Sequence, residues 1–268
     1  MWSNGKRCAV SLSFDFDAES LWVNLNLTTP TFMSRGEYGA RVAVPRILAL
    51  LEKYGIRATF FVPADTARRH PDAVKEIHAK GHEIGHHGDV HESPVGLELE
   101  DERRVLAVGI ETLEKLVGER PKGYRSPAWD LSLNSARLFE EFGLLYDSSM
   151  MGDDFRPYMM KDSDRETNVV EIPVCWELDD APYFLFNFIP YLIGTSAPSK
   201  VYEIWASEFD GAYASGGVFT LTMHPQVSGR YHRVQMLERL IQYIIGHPGV
   251  WFATCAEVAT AWLRRQKR

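Results

Sequence analysis

GHEIGHHGDVHE, residues 81–92, gathers four of the nine histidines, His82, His86, His87 and His91, into one short window. His87 and His91 stand four apart, a separation that brings two imidazoles together on a helical turn or in a tight loop. Gly85 and Gly88 break any regular element across the window. Borderline divalent cations favour imidazole nitrogen, and open catalytic sites often use two His and a carboxylate. A polar surface turn would have the same composition. Spacing does not choose between them; a carboxylate arriving from elsewhere in the chain would.

Working outward, strands alternate with helices on both sides of this window. Upstream, a strand-like run over 8–16 ends in DFD, residues 18–38 read as a long loop or lid carrying Trp22 and Phe32, and apolar spacing predicts a helix over 40–54. A strand over 58–62 follows, then a helix opened by Pro71 and closed at Gly81, then a short strand over 82–85. Downstream, helices are predicted over 98–117, 132–142, 199–214, 231–246 and 255–265, with strands over 122–125, 144–146, 169–174, 218–223 and 250–253. Residues 150–168 read as a polar loop. Such alternation argues for a parallel sheet with crossover helices. No Gly-rich phosphate loop follows the first strand, which disfavours an open doubly wound sheet. The expected fold is α/β: one domain over 1–268, built as a distorted parallel (β/α) barrel of about seven strands.

Composition narrows the partners. A net charge of −7 and a pI near 5.7 argue against a nucleic-acid or anionic-membrane surface. Arg264, Arg265, Lys267 and Arg268 close the last helix, where cations favour the negative end of its dipole. Three widely spaced cysteines, Cys8, Cys175 and Cys255, form no disulfide framework and suggest a reducing compartment. The first residues carry charge too early for a signal peptide, and no apolar run is long enough for a bilayer, so a cytoplasmic location is expected. The aromatic stretch CWELDDAPYFLFNFIPYLIG (175–194) suits a pocket wall, a subunit interface or interior packing; its 183–191 part hints at a homo-oligomer, a dimer or tetramer.

Polar residues collect at predicted strand ends. Asp15 and Asp17 share one face of the first strand, and His87 and His91 follow another. Arg125, Pro127 and Trp129 follow a third, Asp147 a fourth, and His224 the strand VFTLTM. In a parallel barrel these ends emerge at the face where active sites are built. An Asx turn explains Asp147 before Ser148 equally well; it does not explain the set.

The segments SFDFD (13–17), HGDVH (87–91), RSPAW (125–129), YDSS (146–149) and TMHP (222–225) together resemble the NodB-homology polysaccharide deacetylases, carbohydrate esterase family four. The resemblance runs from residue 8 to about 225. GHEIGHHGDVHE, YRSPAWDLS and YDSSMMGDDFRPY look most like the branch holding peptidoglycan-deacetylase-like proteins, metal-independent allantoinases and cyclic-imide hydrolases. It implies a metal-dependent hydrolase of a non-peptide carbon–nitrogen bond. Asp17, His87 and His91 would be ligands to one divalent metal, zinc favoured and Fe, Mn, Co or Ni open. Asp15 would be the base, Arg125 its tether and His224 the acid. Two departures stand out: Phe16 separates aspartates that the family has adjacent, and Gly88 replaces a usual Ser or Thr.

Around that set, His86 is expected to support the ligands and Trp129 to wall the pocket. Asp147 either orients His224 or caps a turn, and Glu19 could touch substrate. His70, His78, His82, His232 and His247 are expected in solvent. The early charges lean the substrate toward a small cytosolic cyclic imide or amide. The alternative is N-deacetylation of peptidoglycan or chitooligosaccharide; a metal-independent ureide hydrolase and a silent sugar-binding protein are the other readings.

Overall fold

The structure, a computed structural model, describes residue 2 and residues 5–188 and 191–266. Its strands are β1 (Cys8–Asp15), β2 (Thr59–Val62), β3 (Glu83–His86), β4 (Gly123–Tyr124), β5 (Tyr146–Asp147), β6 (Tyr158–Asp162), β7 (Arg165–Glu171), β8 (Phe186–Asn187), β9 (Leu192–Ile193), β10 (Val218–Met223) and β11 (Val250–Phe252). The main sheet runs β10-β1-β2-β3-β4-β5-β7-β6, parallel throughout except for the antiparallel β6–β7 hairpin. Seven parallel strands along this path, with β11 added parallel to β1, form the curled sheet that the sequence leads one to expect. It closes without a full ladder: among the described residues, the segment after β7 meets β10 in one parallel bridge, Asp179 to Thr222.

β1 is the axis of the sheet. β10 pairs along one edge, while the other is divided between β11 at Cys8–Val10 and β2 at Ser13–Asp15. All eight β1 residues are buried, which is what a strand covered on both faces requires. Val10, Leu12 and Phe14 join the main core with Ile47, Leu51, Trp205, Phe209, Leu240 and Ile244 from the outer helices. The alternate residues Ser11, Ser13 and Asp15 find polar partners: Cys255 Sγ, the Leu221 carbonyl and Arg125. Burying each large apolar side chain contributes about 1.5–3 kcal/mol, and alternation spends the other face on polar groups.

Two expectations change. Residues 18–38 are not a loop: Ser20–Asn24 and Pro30–Tyr38 are helical, and a π-turn over Gly39–Ala43 leads into the helix Val44–Lys53. Trp22 there is fully buried. Gly36 makes the packing possible, because a Cβ on it would lie 2.5 Å from the backbone of Ala18 and Glu19. Next, the predicted loop over 150–168 contains β6 and the start of β7. Ser163, at φ +56°, makes the turn between them.

The aromatic stretch divides. Phe184 packs into the core, while β8 and β9 form a separate two-stranded arm exposing Phe188, Tyr191 and Ile193; Ile189 and Pro190 lie outside the described residues. Arg35 anchors this arm, its Nη2 donating to the Phe186 carbonyl at 3.0 Å. The last helix, Cys255–Gln266, carries Arg264 and Arg265; Lys267 and Arg268 are outside the described residues. Among the described residues, no helix is long and apolar enough to cross a membrane.

Candidate active site

The end of β1 aims two carboxylates at one point. Phe16, between them, is fully buried in the core, and its N–H donates to the Phe61 carbonyl at 2.8 Å, so the strand alternation continues through Asp17. The chain then turns sharply at Ala18, φ +48°. Asp17 is wholly buried, with His87 Nε2 3.4 Å and His91 Nε2 3.8 Å from its Oδ1. That Oδ1 has no hydrogen-bond partner. His87 Nδ1 lies 2.7 Å from the Arg125 carbonyl, to which it donates, leaving the Nε2 lone pair facing Asp17. His91 is held at φ +63°, a left-handed conformation that costs a non-glycine residue about 1–3 kcal/mol.

One ligand atom from each of Asp17, His87 and His91 lies within 4.8 Å of the others. Burial pushes the Asp17 carboxyl up to about 7, against the attraction of His224, and pushes His87 down to about 4 and His91 well below the usual imidazole range. Two neutral imidazoles and a carboxylate oxygen with no donor converge on one point. Those groups fit a divalent cation, which would satisfy the orphaned oxygen and both nitrogen lone pairs.

Asp15 sits beside this triad, its Oδ2 4.0 Å from His87 Nε2. Its Oδ1 accepts from Arg125 Nη1 at 2.9 Å. Arg125 is itself fully buried and clamped: Nη1 also donates to Ser13 Oγ at 2.8 Å, Nε to the Ser148 carbonyl at 2.9 Å, and Nη2 to Ser148 Oγ at 2.8 Å. Burial opposes ionisation of Asp15, but Arg125, then His87 and His224, hold its carboxyl below the usual range. A carboxylate so placed keeps its charge and can accept a proton from a neighbouring water.

His224 follows β10 and faces the triad from the other side, with Nε2 3.8 Å from Asp17 Oδ2. Its Nδ1 lies 2.6 Å from Asp180 Oδ1. Burial favours the neutral ring, yet Asp180 and Asp179 together raise His224 well above the ordinary histidine range. Gln226 Nε2 donates to Asp17 Oδ2 at 3.1 Å.

The ten residues singled out in the sequence fall into two groups. Asp15, Asp17, His87, His91, Arg125 and His224 come together. The other four take different places. His86 points away, its Nε2 3.2 Å from the Leu106 carbonyl and its Nδ1 accepting from Gly88 N, so it braces the loop. Trp129 is buried and stacks on Trp176 at 4.5 Å. Glu19 is occupied by His70, 2.7 Å away. Asp147 does not reach His224; Asp180 takes that place, while Asp147 bonds Ser149 Oγ. Among the histidines expected in solvent, His82 is buried against Phe60 and accepts from Ala58 N, and His247 packs on Phe209.

Asp179, Asp180 and Gln226 escaped sequence reading. The paired acids inside an aromatic stretch were the available signal: charge in such a setting needs a buried partner. Gln226, two residues after His224, carried no signal.

Comparison with known proteins supplies the family and the fold. The polysaccharide deacetylase family model matches residues 31–146. A peptidoglycan deacetylase of Helicobacter pylori is 33% identical over 98% of this chain and 99% of its own. A Mycobacterium smegmatis crystal structure assigned to the polysaccharide deacetylases is 39% identical, with TM-score 0.89 over 100% of this chain and 93% of that one. The structure of Puue allantoinase is 26% identical, with TM-score 0.86 over 100% of this chain and 94% of that one. With a full-length relative and the fold in agreement, the chain belongs to the polysaccharide deacetylase family, hydrolases of carbon–nitrogen bonds other than peptide bonds.

Proposed function

We propose that this protein is a metal-dependent N-deacetylase of N-acetylated amino-sugar substrates, peptidoglycan or chitooligosaccharide. One observation carries the reading: the Asp17–His87–His91 triad lies between an ionised carboxylate, Asp15 on Arg125, and a protonated imidazole, His224 on Asp180. A base on one side and an acid on the other is what amide hydrolysis needs, since the amine leaves only when protonated. Sequence alone leaned toward a small cyclic imide. The full-length likeness to a peptidoglycan deacetylase, at 33% identity against 26% for the allantoinase structure, favours the deacetylase.

Asp17, His87 and His91 would hold one divalent cation, and two imidazoles with a carboxylate favour zinc. When bound, the cation supplies Lewis-acid polarisation and lowers the pKa of water from ~16 toward ~7. Asp15 takes the proton of the attacking water, and Arg125 fixes its rotamer through a charge-assisted bond. His224 Nε2–H donates to the departing nitrogen while Asp180 holds Nδ1.

The test is direct. Zinc-loaded protein is incubated with chitooligosaccharide, with a peptidoglycan fragment and, separately, with a cyclic imide, and acetate and ring opening are followed. Acetate release that Asp15→Asn abolishes supports the reading. Ring opening without acetate release overturns it in favour of the cyclic substrate.

A further inference from the structure

Behind Arg125, away from the triad, two acidic side chains are buried against each other. Asp147 at the end of β5 and Glu171 at the end of β7 are register partners and both fully buried. Glu171 Oε1 accepts from the N–H groups of Ser149 and Met150, each at 2.9 Å. Asp147 Oδ1 accepts from Ser149 Oγ at 3.0 Å. The remaining oxygens, Asp147 Oδ2 and Glu171 Oε2, receive no donor from any described residue, and Ser149 joins the two groups, its N–H on Glu171 and its Oγ on Asp147. The near cation, Arg125, is committed to Asp15.

Two buried carboxylates paired across the β5–β7 ladder without a cation of their own cannot both stay ionised. A proton between Oδ2 and Oε2 removes the repulsion and satisfies both orphaned oxygens with one bond. The groups facing the pair agree. Tyr124 and Tyr158 are neutral phenols whose ionisation burial suppresses, and Arg125 is the cation that acts on Asp147. Burial raises both carboxyls, and the charge of Asp147 raises Glu171 further.

What the pair holds gives it a role. Ser149 Oγ accepts from Ser126 N at 2.8 Å, fixing the residue after Arg125. Ser148, between Asp147 and Ser149, grips the guanidinium through both its carbonyl and its Oγ. We propose that Asp147 and Glu171 act as one carboxylic acid–carboxylate pair sharing a single proton, and that this pair positions Arg125, and through it Asp15, by fixing Ser148 and Ser149. The catalytic half of this inference rests on the function proposed above; the shared proton does not. Neither acid touches the reacting atoms, so both are positioning residues.

Glu171→Gln mimics the protonated acid: its oxygen accepts from Ser149 and Met150 while its amide donates to Asp147. Glu171→Ala removes the support. Stability is measured first, as Tm against pH. A raised carboxyl pKa favours the fold fully below the unfolded value, and that stability drains away as pH climbs toward the folded one. Wild type should therefore lose Tm above about pH 4.3, the ordinary Glu value, and Glu171→Gln should gain on it steadily as pH rises. Parallel curves would overturn the shared proton, whatever the protein hydrolyses.

Activity is measured second, as kcat and kcat/KM against pH. Glu171→Gln should stay within about twofold of wild type, and Glu171→Ala should lose about tenfold or more in kcat through misplacement. In Glu171→Ala the acid limb should also move to higher pH, because a loosened Arg125 no longer holds Asp15 ionised. Should Glu171→Ala fail to fold, Asp147→Ala, which removes the acceptor of Ser149 Oγ, supplies the same limb measurement. An unmoved limb, or a Gln variant as poor as the Ala variant, overturns the positioning role.

Discussion

Asp180 grips His224 twice. One carboxylate oxygen lies 2.6 Å from Nδ1 of the ring, and the other accepts from the backbone N–H of the same residue at 2.9 Å. The double contact fixes both the rotamer and the protonated state, so the proton on Nε2 is presented toward Asp17 and the substrate side. With His224 raised by Asp180 and Asp179, the alkaline limb of kcat/KM belongs to loss of that proton. Asp180→Asn removes the largest attraction and moves this limb to lower pH. Above neutral pH, kcat should fall by about tenfold to a hundredfold. Lowering the pH should recover part of the loss, and an alkaline limb left in place would refute the assignment.

Removing the metal should expose the charge state of Asp17. Burial leaves its carboxyl at about 7, so below that pH a cation must displace one proton, while His87 at about 4 has none to give. Apparent zinc affinity should therefore rise about tenfold per pH unit up to neutrality and then level off. Chelator-stripped protein titrated with zinc in a calorimeter reports this slope. Readdition at about 100 times the Kd should restore about 2.7 kcal/mol of stability. Asp17→Asn should show neither effect, and full acetate-releasing activity in stripped protein would refute metal dependence.

The parts of this site that lay open in the sequence are those carried by strand ends. Asp15, Asp17, His87, His91 and Arg125 sit where alternation or the first turn after a strand leaves little freedom, so their convergence follows from the parallel order of β1, β3 and β4. Asp180 belongs to a segment whose place is set by tertiary contact. Its neighbour Asp179 is joined to β10 by a single bridge to Thr222, and nothing local in CWELDD specifies that pairing. The 18–38 segment failed for a related reason. Its short helices are stabilised by Trp22 burial and by Gly36 against Ala18, and tertiary packing rather than local propensity decides helices of that length. β6, YMMKD, is a half-exposed edge strand inside a polar stretch, and with one side unpaired it carries no run of buried apolar residues.

Trp129 and Trp176 tie the base side of the site to the acid side. Their rings stack at 4.5 Å and 25°; Trp129 follows Arg125 on one loop, and Trp176 precedes Asp179 and Asp180 on another. Trp129 is held with Ala128 at φ +56°, strain that the stack helps to sustain. Trp176 keeps 45% of its surface exposed, an apolar face on which a sugar ring can rest. Trp176→Ala should cost about 0.5–1.5 kcal/mol of stability from the lost stack. It should raise KM for chitooligosaccharide several-fold with a smaller change in kcat. Equal losses in kcat and kcat/KM would place the tryptophan in transition-state support instead.

Gly36 ties the packing of a helix to the turn after Asp17. A Cβ there would lie 2.5 Å from Ala18 C and Glu19 N, both backbone atoms, and 2.6 Å from the Ala18 carbonyl oxygen. No rotamer relieves such a contact, so either the helix Pro30–Tyr38 or the turn after Asp17 must move. That turn is already held at a left-handed residue, Ala18, with the Asp17 carbonyl bonded by Thr66 Oγ1. Gly36→Ala should therefore destabilise the fold by about 1–3 kcal/mol. Because the displaced atoms adjoin Asp17, zinc affinity should weaken as well, whereas Gly118→Ala, at a helix end with open space around the added Cβ, should leave it unchanged. Denaturant unfolding of the two stripped variants, followed by zinc titration of each at neutral pH, checks both parts, and a Gly36→Ala protein with wild-type zinc affinity would show that the turn yields without moving its carboxylate.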